Sequence, residues 1–156
     1  MSFDVKETIE KMKLDAKVLE FEETVDSVET ACRAASARPS EIVKTLVVEA
    51  DGEPAVALVP GDRRLDSRRL KEVLGARDVK LAFRARLREL VGLEAGEVTP
   101  LAPSIYSLKC VVDSSILERE RIIVGGGTHH RLVEISVRDL LKLLKGHIAA
   151  EISKVG

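Results

Sequence analysis

The run Ile42-Val43-Lys44-Thr45-Leu46-Val47-Val48, followed after Ala50-Asp51-Gly52-Glu53 by Pro54-Ala55-Val56-Ala57-Leu58-Val59, constrains this chain more than any other part of it. β-Branched and aliphatic side chains favour extended backbone, and an Asp-Gly pair between two such runs is a hairpin signal. The first run is apolar apart from Lys44 and Thr45 and reads as a buried strand. If helices pack on one of its faces, Lys44 looks out from the other, because successive side chains of a strand point to opposite sides.

Helices able to supply that cover are spaced along the chain. Val5, Ile9 and Met12 fall at helical spacing. Ser27 reads as an N-cap, short of a full capping box, for a helix to about Ala37 that Arg38-Pro39-Ser40 stops. Leu65 to Leu74, ended by Gly75, has Leu65, Leu70, Val73 and Leu74 on one stripe. A further helix is expected from about Arg84 to Val91, and another over Val137 to Leu144 after the cap Ser136. Short strands are expected at Lys17 to Phe21, around Val79, and at Leu108 to Val112, Arg121 to Val124 and Arg131 to Ile135. Residues 92–104 read as an ordered loop, and the tail after Gly146 is weakly specified. The pattern predicts an α/β (α+β) domain with a mixed sheet flanked by helices. A length of 156 residues suits one sizeable core, so residues 1–156 are expected to form a single domain.

Composition narrows the function. Aromatic residues make up 3% of the chain, which disfavours extended stacking on nucleic-acid bases. Cys32 and Cys110 have no CxxC spacing, so neither a zinc ribbon nor a disulfide framework is indicated; two thiols in a reducing cytoplasm are expected. No apolar run approaches the roughly 18 residues needed to cross a bilayer. The net charge of −1 gives no global attraction to polyanions. Residues 61–90 nevertheless hold ten Lys/Arg against five acids, and Arg63, Arg64, Arg68 and Arg69 lead that excess. Such a segment suits either solvated helix faces or phosphate contacts.

Three features carry candidate chemistry. Lys44, with an ordinary value near ~10.4, is better suited to orient a phosphate or stabilise an oxyanion than to act as a base. Gly125-Gly126-Gly127 ends a Val/Ile strand, and three bare residues let a substrate approach main-chain N–H donors; a plain turn or bulge would use glycine too. No P-loop, dinucleotide fingerprint or GxSxG elbow is present. His129 and His130 are adjacent and would point apart on a strand, so no metal is expected, and His130 is taken to line the pocket. No cofactor is called for.

The order of these segments resembles a family. Glu41 to Val48, then Ala57-Leu58-Val59-Pro60-Gly61-Asp62-Arg63-Arg64-Leu65-Asp66, then Val91 to Pro100, then Val112-Asp113 and Val124 to Gly127, are similar to the YbaK family. That family includes the editing domain of bacterial prolyl-tRNA synthetases and its free-standing relatives. The resemblance spans about residues 18–144. It implies a curved mixed sheet flanked by helices and hydrolysis of the ester between a wrong amino acid and its tRNA, with Lys44 the residue that activity depends on most. It also implies roles for Gly96 and for Gly125, Gly126 and Gly127, and a substrate pocket bordered by Ser27, Thr45, Leu46, Thr99 and Pro100. Where relatives often carry Thr-Val-Glu-Glu this chain has Ser27-Val28-Glu29-Thr30, and Pro100-Leu101-Ala102 stands where many have Pro-Phe-Gly. The resulting expectation is an enzyme: a free-standing, cytoplasmic aminoacyl-tRNA deacylase acting on a mischarged tRNA-Pro, with aminoacyl-tRNA as partner. The alternatives are a non-catalytic module that binds aminoacyl-tRNA or an amino acid in the same pocket, and an unrelated small-ester or amide hydrolase.

Overall fold

The computed structural model of the chain describes residues 3–156. In chain order it runs α1 (Val5–Met12), β1 (Ala16–Glu20), α2 (Val28–Ala35), β2 (Val43–Ala50), β3 (Glu53–Pro60), β4 (Arg63–Leu65), α3 (Ser67–Leu74), β5 (Val79–Leu81), α4 (Arg84–Val91), α5 (Pro103–Tyr106), β6 (Cys110–Asp113), β7 (Arg121–Gly125), β8 (Arg131–Ser136), α6 (Val137–Leu143), β9 (Ile148–Ala150) and β10 (Ser153–Val155). The mixed α/β class expected from the pattern is the one observed. No helix among the described residues is long and apolar enough to cross a membrane.

The predicted hairpin is the centre of a five-stranded sheet ordered β5-β2-β3-β6-β9. β2 and β3 pair antiparallel over their full length, from Val43↔Pro60 to Ala50↔Glu53, while β6 joins β3 and β9 joins β6 in parallel. A second, antiparallel sheet is ordered β1-β8-β7, and a two-stranded ribbon pairs β10 with β4. One isolated parallel bridge, Ile42↔Ile123, joins the two larger sheets.

Apolar side chains divide among three clusters. The largest takes Val43, Val47, Val56, Leu58 and Val112 from one face of the five-stranded sheet, with Ile122, Val124, Val133 and Ile135 from the three-stranded one. On the opposite face, Val48, Ala55, Ala57, Val59 and Val111 pack on Leu70 of α3 and on Ile152. Ile42, Ile123 and Leu132 pack instead on Val25 and Ala31, under α2. Burial pushes the Cys110 thiol up to about 12, the mark of a packing residue rather than a nucleophile.

The sequence reading needs correction at several ends. Arg63–Leu65 is a strand, not a helix start: Asp66 caps α3 by accepting from Arg68 and Arg69 N–H, so the helix begins at Ser67. Ser27 forms a full capping box, since Thr30 Oγ1 accepts from Ser27 N–H while Ser27 Oγ accepts from Thr30 N–H. The tail after Gly146 supplies two strands, each of three residues, too short for periodicity to register.

Asp113 anchors that tail. It is 1% exposed, and its Oδ1 accepts from Ile152 N–H at 3.0 Å. The bond fixes the start of β10, which in turn holds β4. Asp113→Ala orphans a buried N–H, and a loss of about 1–3 kcal/mol is expected in urea unfolding. A loss below about 0.5 kcal/mol would show that the tail is held elsewhere.

Candidate functional site

Alternation along β2 decides where Lys44 points. Ile42 and Lys44 share a face with Leu46. Ile42 belongs to the cluster under α2, whereas Leu46 packs on the cluster under α3. Lys44 therefore lies at the seam between two apolar clusters, half-buried. A cleft of about 310 Å³ opens there. Its lining includes Lys44, Thr45 and Leu46 of β2, Asp26, Ser27 and Val28 at the start of α2, Gly96 and Val98 of the loop before α5, Gly125 of β7, and Arg131.

Lys44 Nζ donates to Arg63 O at 2.6 Å. Burial pushes the ammonium below its ordinary value, and the nearby Asp62 carboxylate opposes that fall. One of the three ammonium donors is thus held by β4, and two remain for an anionic or carbonyl oxygen.

β2 also presents main chain to the cleft. Val47 O accepts from Ala82 N–H on the β5 side, while Ile42 O accepts from Gly61 N–H on the β3 side. Main-chain groups alternate along a strand, so Val43 and Thr45 direct theirs to the same edge as Val47. β5 pairs only with Val48 to Ala50, which leaves Thr45 N–H and C=O without a strand partner. The Thr45 side chain points to the other face, where its Oγ1 is buried without a hydrogen-bond partner among the described residues.

The three loops around the cleft meet at His129. Its Nδ1 lies 2.6 Å from Asp26 Oδ2, and a β-carbon added at Gly96 would overlap its ring. The hydrogen bond from His129 holds the Asp26 carboxyl below its ordinary value.

Of the residues singled out in the sequence, Lys44, Thr45, Leu46, Ser27, Gly96 and Gly125 come together at this cleft. The others do not. Gly126 N–H already donates to Arg131 O at 2.9 Å, and a β-carbon there would lie 2.6 Å from the Arg131 main-chain carbon. Gly127 has φ +88° and faces Val5, Phe3 and Thr99, so its value is conformational. Thr99 and Pro100 are buried behind the cleft. His129 and His130 sit in the turn between β7 and β8 rather than on a strand, and it is His129 that borders the site; His130 Nδ1 turns to Glu23 O at 3.1 Å. Arg63 donates to Ser153 Oγ and O, and Arg69 pairs with Asp66 and Glu151. Arg64 and Arg68 are exposed and do not line the cleft. Sequence reasoning missed Asp26, Val98 and Arg131. Only the position of Arg131 just after the glycines hinted at it. Asp26 adjoins Ser27, and Val98 lies between Gly96 and Thr99 within the Val91 to Pro100 motif, but neither residue type pointed to a role of its own.

A sequence profile of the aminoacyl-tRNA editing domain matches residues 22–143. Proline--tRNA ligase of Desulfotalea psychrophila is 34% identical over 99 residues, covering 64% of this chain and 17% of that protein. Proline--tRNA ligase 1 of Anaeromyxobacter dehalogenans is 34% identical over 121 residues, covering 76% of this chain and 20% of its own length. The chain thus spans about a fifth or less of the curated relatives it matches. Among solved structures, hypothetical protein APE2540 superposes with TM-score 0.85 at 34% identity, covering 96% of this chain and 99% of that one. A proposed trans-editing enzyme for prolyl tRNA synthetase superposes with TM-score 0.82 at 27% identity, covering 96% and 94%.

Two outcomes check this geometry. Gly126→Ala should lower stability by about 1–3 kcal/mol through overlap with the Arg131 main chain; a stable but inactive variant would return Gly126 to the role of a donor. In His129→Ala the Asp26 carboxyl should titrate back up toward ~3.9. Because the folded value is depressed, the stabilisation from this carboxylate is present above the unfolded value and is lost as pH falls through the folded one. A carboxyl-carbon NMR titration that shows no change would disconnect Asp26 from His129.

Proposed function

The chain belongs to the aminoacyl-tRNA editing domain family, and from that premise we propose that it hydrolyses the ester of a mischarged aminoacyl-tRNA, a mischarged tRNA-Pro foremost, acting in trans. The observation that carries this reading is the half-buried Lys44 ammonium at the floor of a cleft that also offers unpaired β2 main chain. The resemblance to proline--tRNA ligases supports tRNA-Pro. The near-complete overlap with a proposed trans-editing enzyme supports action in trans.

No cysteine lines the cleft, and its hydroxyls are engaged or turned away: Ser27 Oγ accepts from Thr30 N–H in the cap of α2, Thr128 Oγ1 accepts from His130 N–H, and Thr45 Oγ1 is buried on the other face. Chemistry therefore falls to positioning and charge. With the ester carbonyl over Lys44, attack by water on the carbonyl carbon places negative charge on the carbonyl oxygen. The two free ammonium donors stabilise that oxygen. The ester C–O bond then breaks, the ribose oxygen takes the proton that the attacking water gives up, and the amino acid leaves as a free acid. Val25, Val28, Ala31, Ile42 and Leu132 give the cleft an apolar side suited to a small aliphatic side chain.

Lys44→Ala should reduce deacylation of mischarged tRNA-Pro at least ~100-fold, about 2.7 kcal/mol of transition-state stabilisation, with the melting transition retained. Full turnover by a folded Lys44→Ala protein would remove the residue from the mechanism. Binding of aminoacyl-tRNA without any turnover by the unaltered protein would favour the non-catalytic module.

A further inference from the structure

We infer that the acceptor end of the tRNA leaves the cleft past Arg84, and that Arg84 and the neighbouring Phe83 hold it there instead of the Arg63 to Arg69 segment. The inference rests on the reading of the cleft as the ester site. A second hollow of about 360 Å³ is lined by Asp26, Arg84, Glu94, Ala95, Gly96 and His129. Three of these, Asp26, Ala95 and Gly96, also line the cleft, so the two hollows form one trough. A nucleic acid esterified over Lys44 has to exit along an open trough, because its phosphates cannot be buried.

Charge selects this exit. In the second hollow both carboxylates are engaged: Asp26 by His129, and Glu94 by Arg88. Arg84 has no hydrogen-bond or ion-pair partner among the described residues, and it is exposed. The hollow on the β4 side is different. It carries Asp62, Glu118 and Glu120, and it shares no lining residue with the cleft. Its arginines are also committed, Arg63 to Ser153, Arg119 to Ser40 Oγ, and Arg121 to Asp15 and Glu134. Phosphates would meet carboxylates there and a free guanidinium at Arg84.

Phe83 adds an apolar face. At 75% exposed it is, among the described residues, the barest large apolar side chain after Val155, and it stands immediately before Arg84 at the head of α4. A phenyl ring with no packing role in the fold suits stacking of one unpaired terminal base, and Arg84 suits the adjoining phosphate. The low aromatic content of the chain disfavours an extended stacking platform, but a single contact needs only one ring.

The test uses the full chain, an RNA hairpin with the tRNA-Pro acceptor stem and its single-stranded end, and two substrates, alanyl-tRNA-Pro and alanyl-adenosine. Arg84→Gln should flatten the salt dependence of hairpin binding by about 0.7 in log–log slope, the value for one single-strand phosphate. Phe83→Ala should weaken hairpin binding roughly tenfold with the slope retained. For both variants the loss of kcat/KM on alanyl-tRNA-Pro should exceed the loss on alanyl-adenosine by about tenfold, since the small ester cannot reach Arg84. The Arg64→Gln, Arg68→Gln double variant should keep the wild-type slope. Wild-type slope and affinity in Arg84→Gln, equal losses on both substrates, or a flattened slope in the Arg64/Arg68 double variant alone would each overturn the inference. If the unaltered protein hydrolyses neither ester, the ester reading falls, and the hairpin salt slope still decides the place of Arg84.

Discussion

A single parallel bridge between Ile42 and Ile123 is the constraint on which the rest of the site depends. It ties the sheet built on the central hairpin to the sheet built on β7 and β8, and beyond it the two diverge. Strands that separate cannot satisfy each other's main-chain groups, so the edge of β2 at Thr45 is left without a strand partner where an interior strand would be paired. The loop carrying Gly96 and Val98 crosses that fork. A β-carbon at Gly125 would lie 2.9 Å from Val98 O, and this close approach is what the end of β7 needs glycine for.

The same divergence separates the helices. α2 packs on Ile42 at one side of the seam and lines the cleft with Val28 and Ala31, while α3 lies under Leu46 at the other side, so Lys44 falls between the two helices. A lysine placed there keeps its ammonium partly wet while its stem lies on apolar surface. Desolvation draws the Lys44 value down, and a carbonyl of β4 takes one donor. That carbonyl belongs to Arg63, whose strand is held by β10, whose start is in turn fixed by Asp113. The position of the cation thus depends on the C-terminal strands rather than on β2 alone.

Surface charge follows a different logic. Three of the eight arginines between residues 61 and 90 are tied up in ion pairs: Arg69 with Asp66 and Glu151, Arg86 with Glu49 and Glu89, Arg88 with Glu94. Glu49 is 5% exposed, and its carboxyl is held below the ordinary range chiefly by the hydrogen bond from Arg86. An excess of positive charge counted along the chain is therefore not a uniform patch in space. What counts is which guanidinium is left over beside the trough.

Much of this protein was legible in its residues. The hairpin at Ala50 to Glu53, the stripe of α3, the outward turn of Lys44 and the ordered motifs of an editing domain all rest on local spacing, and local spacing determines strands, helices and the face each side chain takes. Contacts between distant segments could not be read that way. Asp26 and His129 are 103 residues apart, and nothing in either neighbourhood indicates that they meet. Gly126 and Gly127 look like open backbone in sequence, yet one amide is spent on Arg131 and the other residue serves a turn of positive φ. Periodicity assigns a residue to a face, whereas only the packing of one sheet against another decides whether that face is covered, which donors are already used and which cation remains free. That is why the sequence alone carried the family and singled out Lys44, and only the tertiary structure decided which residues surround it.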